Sequence, residues 1–340
     1  MLLSSLSKCT YLRLTQLLVV LFTLSSCLSV SVSVNWTTII GFTILAGTYL
    51  IAFSLKTPEP GFDSSNPYKG KKGKGFLTKE AERRINQLIA DLVVYDAGLV
   101  KSLKRFDVIK RRTECIFAKR SRLWGSMDYD QTFSLERNIE RLIPTFYKFT
   151  LAFQDLGLDA FLVELPATPY GADIKTFSDA VRCVLLTLRT ADIQRQMQQL
   201  REQSTRLDPT YVENKMRFLK AEDTRRWDRP SWVFEFNKVT FFLTSFAPFY
   251  PETNSRYSFG ADHCYILFQP EISFAIHDLP PDVAETNWDC PVTVRDKVRV
   301  AFHEAGREYQ PPLVTRLPMV YDIVKPVDQY DSPIQWWNVS

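Results

Sequence analysis

Three histidines, His263, His277 and His303, are the residues of this 340-residue chain best suited to bind a transition metal. Two histidines and one carboxylate form the open triad of many non-haem iron sites. His263 and His277, with Glu271 or Asp278, would supply such a set. Scattered histidines are also common as surface or structural residues, so the sequence leaves both interpretations open.

A second candidate is the most polar stretch of the chain, Pro251 to Gly260, which follows a strongly apolar segment. Loops mounted on rigid strands frequently carry binding residues. Within this loop, the planar guanidinium of Arg256 suits bidentate contact with a carboxylate or a propionate. The alternative is a turn in which Arg256 forms a structural salt bridge.

A third candidate is the start of the last predicted helix, where Arg295 and Arg299 lie one turn apart. Side chains spaced by four residues share a helix face, so the pair would suit an anion. A solvated, charged helix face is the alternative.

Several large classes of protein are disfavoured by what the chain lacks. It contains no GxGxxG, GxxxxGK[ST], GxSxG or HExxH motif, which argues against nucleotide-binding, acyl-transfer and zinc-protease interpretations. The formal net charge is only +4, so no nucleic-acid partner is expected.

The positive charge belongs to the N-terminal segment. Residues 1–75 hold seven basic and two acidic side chains, whereas the remainder holds 35 basic and 36 acidic ones. No charged residue occurs in the 42 positions between Arg13 and Lys56. The stretch from Trp36 to Leu55 has the length, about 20 residues, that spans a hydrocarbon core. We therefore expect one or two transmembrane helices within residues 1–56, with a lipid membrane as partner.

The first apolar stretch, about Leu14 to Val34, fits three descriptions: a cleaved signal peptide, a transmembrane helix paired with the second stretch, or an interfacial segment. Lys and Arg flank the apolar region on both sides, as is typical of cytoplasmic flanks. The sequence therefore predicts a membrane location with the globular domain in the cytoplasm. Residues 57–75 are rich in Gly, Pro and Lys and are predicted to be a basic linker.

The six cysteines contain no CxxC pair, so a structural zinc site has no support. Cys183 and Cys264 fall in apolar patterns and are expected to be buried thiols. This cysteine usage predicts a reducing compartment.

Residues 76–340 are predicted to form one globular domain that mixes helices and strands. Apolar residues recur with the helical period in some stretches and run continuously or alternate in others. Helices are predicted from near Thr78 and over about 135–153, 177–205 and 294–305, and strands over 114–119, 123–128, 159–165, 232–236, 239–246 and 264–268. Residues 206–230 are predicted to be irregular. The expected fold class is α+β, a mainly antiparallel sheet covered by helices and preceded by the transmembrane segments.

Several stretches, in order, resemble the YqcI/YcgG family over roughly residues 110–310. They correspond to an early Cys-x-Phe strand, a buried strand, an aromatic hairpin and a P-A-H-x-x-R-x-S-R…F-Q-P-x-x-x-F signature. The stretches are Cys115–Lys119, Asp159–Pro166, Trp232–Asn237 with Phe241-Phe242, and Pro248–Arg256 followed by Leu267–Phe274. By position, Ser255, Arg256, Phe268, Gln269, Pro270 and Phe274 carry over.

One branch of this family consists of haem-dependent N-hydroxylases, so the resemblance implies a haem-dependent oxygenase acting on a small nitrogenous metabolite. Arg256 would then hold a haem propionate or the substrate carboxylate. One of Tyr250, His263 and His277 would approach the iron. The substrate-binding candidates are Ser255, Gln269, Arg295 and Arg299.

The chain departs from the family pattern at the histidines. Tyr250 stands where the family has the His of P-A-H, Thr253 replaces its first Arg, and Glu271 stands where another branch has His. Tyrosine also ligates haem iron. Two alternatives follow: a non-catalytic ligand-binding or scaffold domain that has lost the metal, and a non-haem iron oxygenase that uses His277, His263 and Glu271.

Overall fold

Five strands pair into one mixed sheet. They are β1 Leu123–Gly125, β2 Ala160–Pro166, β3 Phe234–Phe236, β4 Val239–Phe246 and β5 His263–Pro270. Their order across the sheet is β1-β2-β5-β4-β3. β1 runs parallel to β2, whereas the other three pairings are antiparallel. Central β2 and β5 therefore have neighbours on both edges, and β1 and β3 form the two ends.

The structure is a computed structural model that describes residues 73–204, 207–221, 227, 229, 232–277, 279, 285–307, 319–328 and 330–338. Its helices within these residues are α1 Lys79–Leu88, α2 Lys101–Arg112, α3 Ile116–Arg120, α4 Leu135–Leu156, α5 Ala167–Tyr170, α6 Ile174–Gln203, α7 Pro209–Ala221, α8 Glu271–Ile276, α9 Val294–Glu304 and α10 Val320–Ile323. The described residues divide into two units: Glu285–Lys297 belong to one, and the described residues within Asn66–Ala284 and Val298–Ser340 form the other. The sheet belongs to the second unit.

Helices cover both faces of the sheet, and the central strand β2 is accordingly apolar at nearly every position. Phe161 and Val163 of β2 pack into the larger core with residues of α4 and α6, such as Phe146 and Val181. The alternate positions Ala160 and Leu162 pack into a smaller core that includes Phe106 and Ile109 of α2. A continuous apolar run is the pattern expected of a strand buried on both faces.

The long helix α4 is bounded by local capping residues. The Ser134 side chain accepts a hydrogen bond from the backbone N–H of Arg137 at its start. The helix continues past Pro144 to Leu156 and ends at Gly157, which adopts a left-handed conformation with φ 63°. Glycine is favoured at this position because it has no Cβ atom to clash. The next residues turn directly into β2.

The β3–β4 hairpin closes through Asn237 and Lys238, both with positive φ, 48° and 64°. Two such residues in succession are typical of a type I′ turn, whose twist suits two-residue hairpins. The predicted hairpin is confirmed, although Asn-Lys is an unusual sequence for this turn. A buried carboxylate, Asp192 of α6, accepts a hydrogen bond from the N–H of Asn237 at 3.0 Å and anchors the turn.

Two local predictions were wrong. Residues 114–119 contain the helix α3 rather than a strand, and residues 206–230 contain the helix α7. A short apolar run such as Ile116–Ala118 does not distinguish helix from strand by periodicity alone. β5 begins one residue earlier and ends two residues later than predicted, whereas β1 and β3 are shorter than predicted.

Two features of the predicted architecture also need correction: the transmembrane helices and the strand directions in the sheet. Among the described residues, no helix is long and apolar enough to cross a membrane. This finding stands against the expected membrane-anchored fold, and residues 1–56, to which the transmembrane helices were assigned, lie outside the described residues. The sheet is mixed, because the β1–β2 pairing is parallel.

Candidate functional site

The polar loop that follows β4 binds the C-terminal segment of the same chain. Three of its side chains donate four hydrogen bonds to backbone carbonyl oxygens of residues 322–327. The Tyr250 hydroxyl donates to Lys325 at 2.8 Å, the Asn254 amide to Pro326 at 3.0 Å and to Val327 at 2.9 Å, and the Arg256 guanidinium to Asp322 at 2.7 Å. Ser245, near the end of β4, donates to the carbonyl of Ile323. The loop is therefore a cradle for the main chain of the C-terminal segment.

Two residues predicted to bind haem are part of this cradle. Tyr250 is 1% exposed and Arg256 is 4% exposed. Burial raises the pKa of the Tyr250 phenol, which keeps it protonated and able to donate its hydrogen bond. Asp322, whose carbonyl Arg256 contacts, is itself buried and pairs with Lys325 at 3.1 Å. Both side chains contact the main chain of the C-terminal segment.

The two histidines of the predicted iron site lie at opposite ends of β5. His263 is the first residue of this strand and lies opposite Pro166. His277 follows α8, beyond the other end, where Asp159 precedes β2. A strand of this length spans about 23 Å, so the two imidazoles cannot share one metal ion. Instead, each histidine pairs with its own carboxylate: His263 with Asp262 at 2.7 Å and His277 with Asp159 at 2.6 Å.

The remaining candidates do not converge on either histidine. Ser255 is half-buried in the cradle loop, and the Gln269 amide donates to the Thr244 hydroxyl at 3.3 Å on the sheet. Glu271 is half-buried at the start of α8. Arg295 is half-buried in α9, whereas Arg299 is 2% exposed, so the alternative of a solvated helix face does not hold for Arg299.

The residues predicted to hold a haem do not all converge on one site. Tyr250 and Arg256 are committed to carbonyl groups of the chain itself, and the histidines are separated by the length of a strand. In the parts of the chain that the structure describes, no three His, Cys, Asp or Glu side chains group as metal ligands. The predicted set of His277, His263 and Glu271 is therefore not assembled.

A cavity of about 200 Å³ lies beside His277, where the end of α4, the start of β2 and α8 meet. Its lining combines an apolar wall with a few polar groups. The apolar residues are Phe153, Leu158 and Ile276, and the polar ones are Arg122, Gln154, Asp159, Ser273 and His277, with Gly73 and Gly157 completing it. We call this the His277 cavity. Apolar walls with a small number of convergent polar groups are typical of ligand sites.

Backbone hydrogen bonds hold Asp159 in place just before the start of β2. Arg122 donates its backbone N–H to Oδ2 of Asp159 at 2.7 Å, and Asp159 donates its own N–H to the Arg122 carbonyl at 2.8 Å. Oδ1 of the same carboxylate accepts the hydrogen bond from Nε2 of His277. The ring of His277 also meets Phe117 edge-on, with centroids 6.4 Å apart. These contacts fix the imidazole on the rim of the cavity.

Arg122 joins the site to the end of α4. Its Nη1 donates to the Leu156 carbonyl at 2.6 Å, one of the carbonyl groups left without a helical partner at a C-terminus. A cation is favoured there by the helix dipole. A Cβ atom on Gly157 would lie 3.3 Å from this Nη1, so the glycine lets the guanidinium approach the helix end.

Of the nine predicted site residues, only His277 lies in the His277 cavity. Asp159 was predicted only as part of a buried strand, and Arg122 and Ser273 were not singled out. A signal existed in the pattern at 159–165, because a charged residue at the start of an apolar strand must have a partner or reach solvent. Nothing in the sequence indicates that the partner is His277, 118 residues away.

The cysteines divide into two groups. Cys115, Cys183 and Cys264 are free thiols, and burial raises the pKa of both Cys183 and Cys264 to about 12. Cys183 and Cys264 are therefore neutral thiols of low reactivity, as expected of buried cysteine. Cys290 is disulfide-bonded, which stands against the prediction of a reducing compartment drawn from the cysteines.

Comparison with known proteins gives no family assignment: no protein-family profile, no curated protein and no solved structure matches the chain. The resemblance to the YqcI/YcgG family stays a prediction.

Proposed function

We propose that the domain binds a small organic molecule in the His277 cavity, without a haem iron held by Tyr250, His263 or His277. The observation that carries this proposal is the fixed His277–Asp159 pair, 2.6 Å apart, on the rim of a cavity with apolar walls. Among the alternatives open from the sequence, this corresponds to a ligand-binding domain that has lost the metal.

The size of the cavity limits the ligand. Pockets for drug-sized molecules have volumes of about 300–1,000 Å³. At about 200 Å³, the His277 cavity suits a smaller molecule with a short apolar part. A neighbouring groove of about 360 Å³ shares Phe153 and Gln154 with the cavity and extends towards Lys238 of the hairpin. A longer ligand has room to continue along this groove.

Saturation-transfer NMR with three matched probes, acetate, acetamide and ethylammonium, tests the proposal on the full chain. We expect at least one probe to receive saturation from the protein. The Ile276→Trp variant should abolish the transfer, because the larger ring fills the cavity. Val93→Trp is the control, since Val93 is 89% exposed and lies outside the cavity.

Two results would overturn the proposal. One is the failure of all three probes to bind, or binding that Ile276→Trp leaves unchanged. The other is stoichiometric haem binding with a Soret band that disappears in Tyr250→Phe or His277→Ala, because that would restore the haem interpretation.

A further inference from the structure

Asn338 begins one of the two Asn-x-Ser/Thr sequences of the chain, Asn338-Val339-Ser340. The other begins at Asn35, which lies outside the described residues. Asn-x-Ser/Thr, where x is not proline, is the acceptor sequence for N-linked glycans. A short sequence of this kind acts as an acceptor when two conditions are met. The surface must leave room for a bulky sugar, and the chain must enter the secretory pathway.

The surface around Asn338 meets the first condition. Its exposed side chain lies at the end of a turn, in which its backbone N–H donates to the Gln335 carbonyl at 3.0 Å. The side-chain amide donates to Oε1 of Gln335 at 2.7 Å, and Gln335 is exposed as well. An amide nitrogen carries two hydrogens, and an N-linked sugar replaces one of them. A sugar on Asn338 therefore extends into solvent and leaves a donor for this hydrogen bond.

The two tryptophans before Asn338 anchor the turn that presents it. Trp336 is 5% exposed and donates its indole N–H to the Val320 carbonyl at 2.7 Å. Trp337 packs edge-on against Tyr321, with ring centroids 4.7 Å apart. The aromatic side chains supply the packing of this segment, so a sugar on Asn338 removes no contact from the core.

The disulfide at Cys290 meets the second condition. Cys290 is half-buried, and its backbone N–H donates to Oδ1 of the exposed Asn287 at 3.0 Å. In the cytosol, glutathione and thioredoxin keep accessible cysteines reduced, whereas disulfides persist in the secretory pathway and outside the cell. The disulfide therefore indicates an oxidising compartment. This differs from the cytoplasm predicted from the basic flanks of the apolar region.

The buried free thiols are compatible with an oxidising compartment. Burial raises the pKa of both Cys183 and Cys264 to about 12, which keeps both groups protonated. The thiolate is the form that attacks disulfides and oxidants, so a protonated, buried thiol reacts slowly. The survival of these two thiols therefore needs no reducing surroundings.

We propose that Asn338 carries an N-linked glycan and that the domain faces the lumen of the secretory pathway or the cell exterior. This modification site is independent of the His277 cavity and goes beyond ligand binding. The cell's own transferase recognises Asn338 together with the hydroxyl of Ser340, two residues later.

The chemical step is a group transfer from an oligosaccharide linked to a polyprenyl pyrophosphate. A bond forms between Nδ2 of Asn338 and the anomeric carbon of the first sugar. The bond between that carbon and the pyrophosphate oxygen breaks, and the pyrophosphate leaves with the electron pair. One amide proton passes to solvent, so the step consumes neither oxidant nor reductant.

The experiment expresses the full chain in cultured eukaryotic cells, without an added signal sequence, and isolates it without reductant. Glycopeptide mapping by mass spectrometry reads position 338 separately from position 35. We expect a glycan on Asn338 that peptide N-glycosidase F removes and that is lost completely in Asn338→Gln and in Ser340→Ala, because each substitution destroys the acceptor sequence. Asn214→Gln is the matched control, because Asn214 is exposed but begins no acceptor sequence.

Alkylation of the unfolded chain before and after reduction reports the state of Cys290 in the same sample. We expect Cys290 to react only after reduction and Cys183 to react without it. An Asn338 without a glycan in a chain whose Cys290 is oxidised would overturn the modification site. An Asn338 without a glycan in a chain whose Cys290 reacts before reduction would overturn both the site and the oxidising compartment. The NMR test of the His277 cavity is decided separately from either result.

Discussion

The phenol of Tyr250 donates a hydrogen bond to the carbonyl oxygen of Lys325, 2.8 Å away in space and 75 residues later in the chain. Tyr250 stands where the resembled family has a histidine that would approach an iron. In this chain the same position holds the C-terminal segment against the sheet. The segment is further anchored by Val320 and Ile323, both fully buried. The position therefore serves tertiary structure, and the candidate ligand site, the His277 cavity, lies at the opposite end of β5.

Tyr250→Phe should lower the free energy of unfolding by about 1 kcal/mol, because the buried carbonyl of Lys325 loses its donor while packing is kept. Urea denaturation measures the change. Tyr330→Phe is the control, since Tyr330 is 71% exposed. Equal midpoints for the two variants would show that the hydrogen bond contributes nothing to stability.

The sequence was informative about the sheet and poor about the site, for one physical reason. The apolar composition of runs such as 159–165 and 239–246 is enough to predict buried strands. The proximity of Asp159 and His277 depends on the antiparallel pairing of β2 with β5, which places Phe161 opposite Phe268. Register of this kind is a property of the assembled sheet. Arg256 shows the converse, since a guanidinium suited to a ligand carboxylate was equally suited to a backbone carbonyl.

Asp192→Ala should destabilise the domain by about 2 kcal/mol, because three donors lose a buried acceptor. Its carboxylate accepts from Arg189 and Gln196, each at 2.9 Å, and from the backbone N–H of Asn237 at 3.0 Å. Hydrogen exchange should show a faster amide at Asn237, because the turn loses its anchor. Asp179→Ala, an exposed carboxylate on the same helix, is the control. Unchanged protection of Asn237 would contradict the anchoring role.

Asp128→Asn should make the free energy of unfolding less dependent on pH in the acid range. Hydrogen bonds from Arg105 at 2.8 Å and from Lys101 hold the pKa of Asp128 below its ordinary 3.8. A lowered pKa in the folded state means that the ionised carboxylate stabilises the fold above about pH 3.8, and that this contribution disappears as the pH falls through the folded-state pKa.

The measurement is urea denaturation of both proteins at several pH values. Wild type should be more stable than Asp128→Asn near neutral pH, and the gap should narrow below about pH 3.8. Asp331→Asn, an exposed carboxylate elsewhere on the surface, controls for the general effect of removing one charge. A gap that stays constant across the pH series would contradict the assignment of the shift to Asp128.

Gly157→Ala tests the connection between the end of α4 and the His277 cavity. Gly157 has φ 63°, and an added Cβ would lie 3.3 Å from Nη1 of Arg122. Gly260 has φ 81° but no atom within 4 Å of an added Cβ, so Gly260→Ala carries the conformational strain alone. Strain at such a position costs about 1–2 kcal/mol.

We expect Gly157→Ala to lower the free energy of unfolding more than Gly260→Ala does. By moving Arg122, Gly157→Ala should also shift the imidazole resonances of His277. Gly260→Ala should leave these resonances in place, because its loop is remote from the cavity. If the His277 resonances are the same in both variants, Arg122 and His277 do not belong to one site.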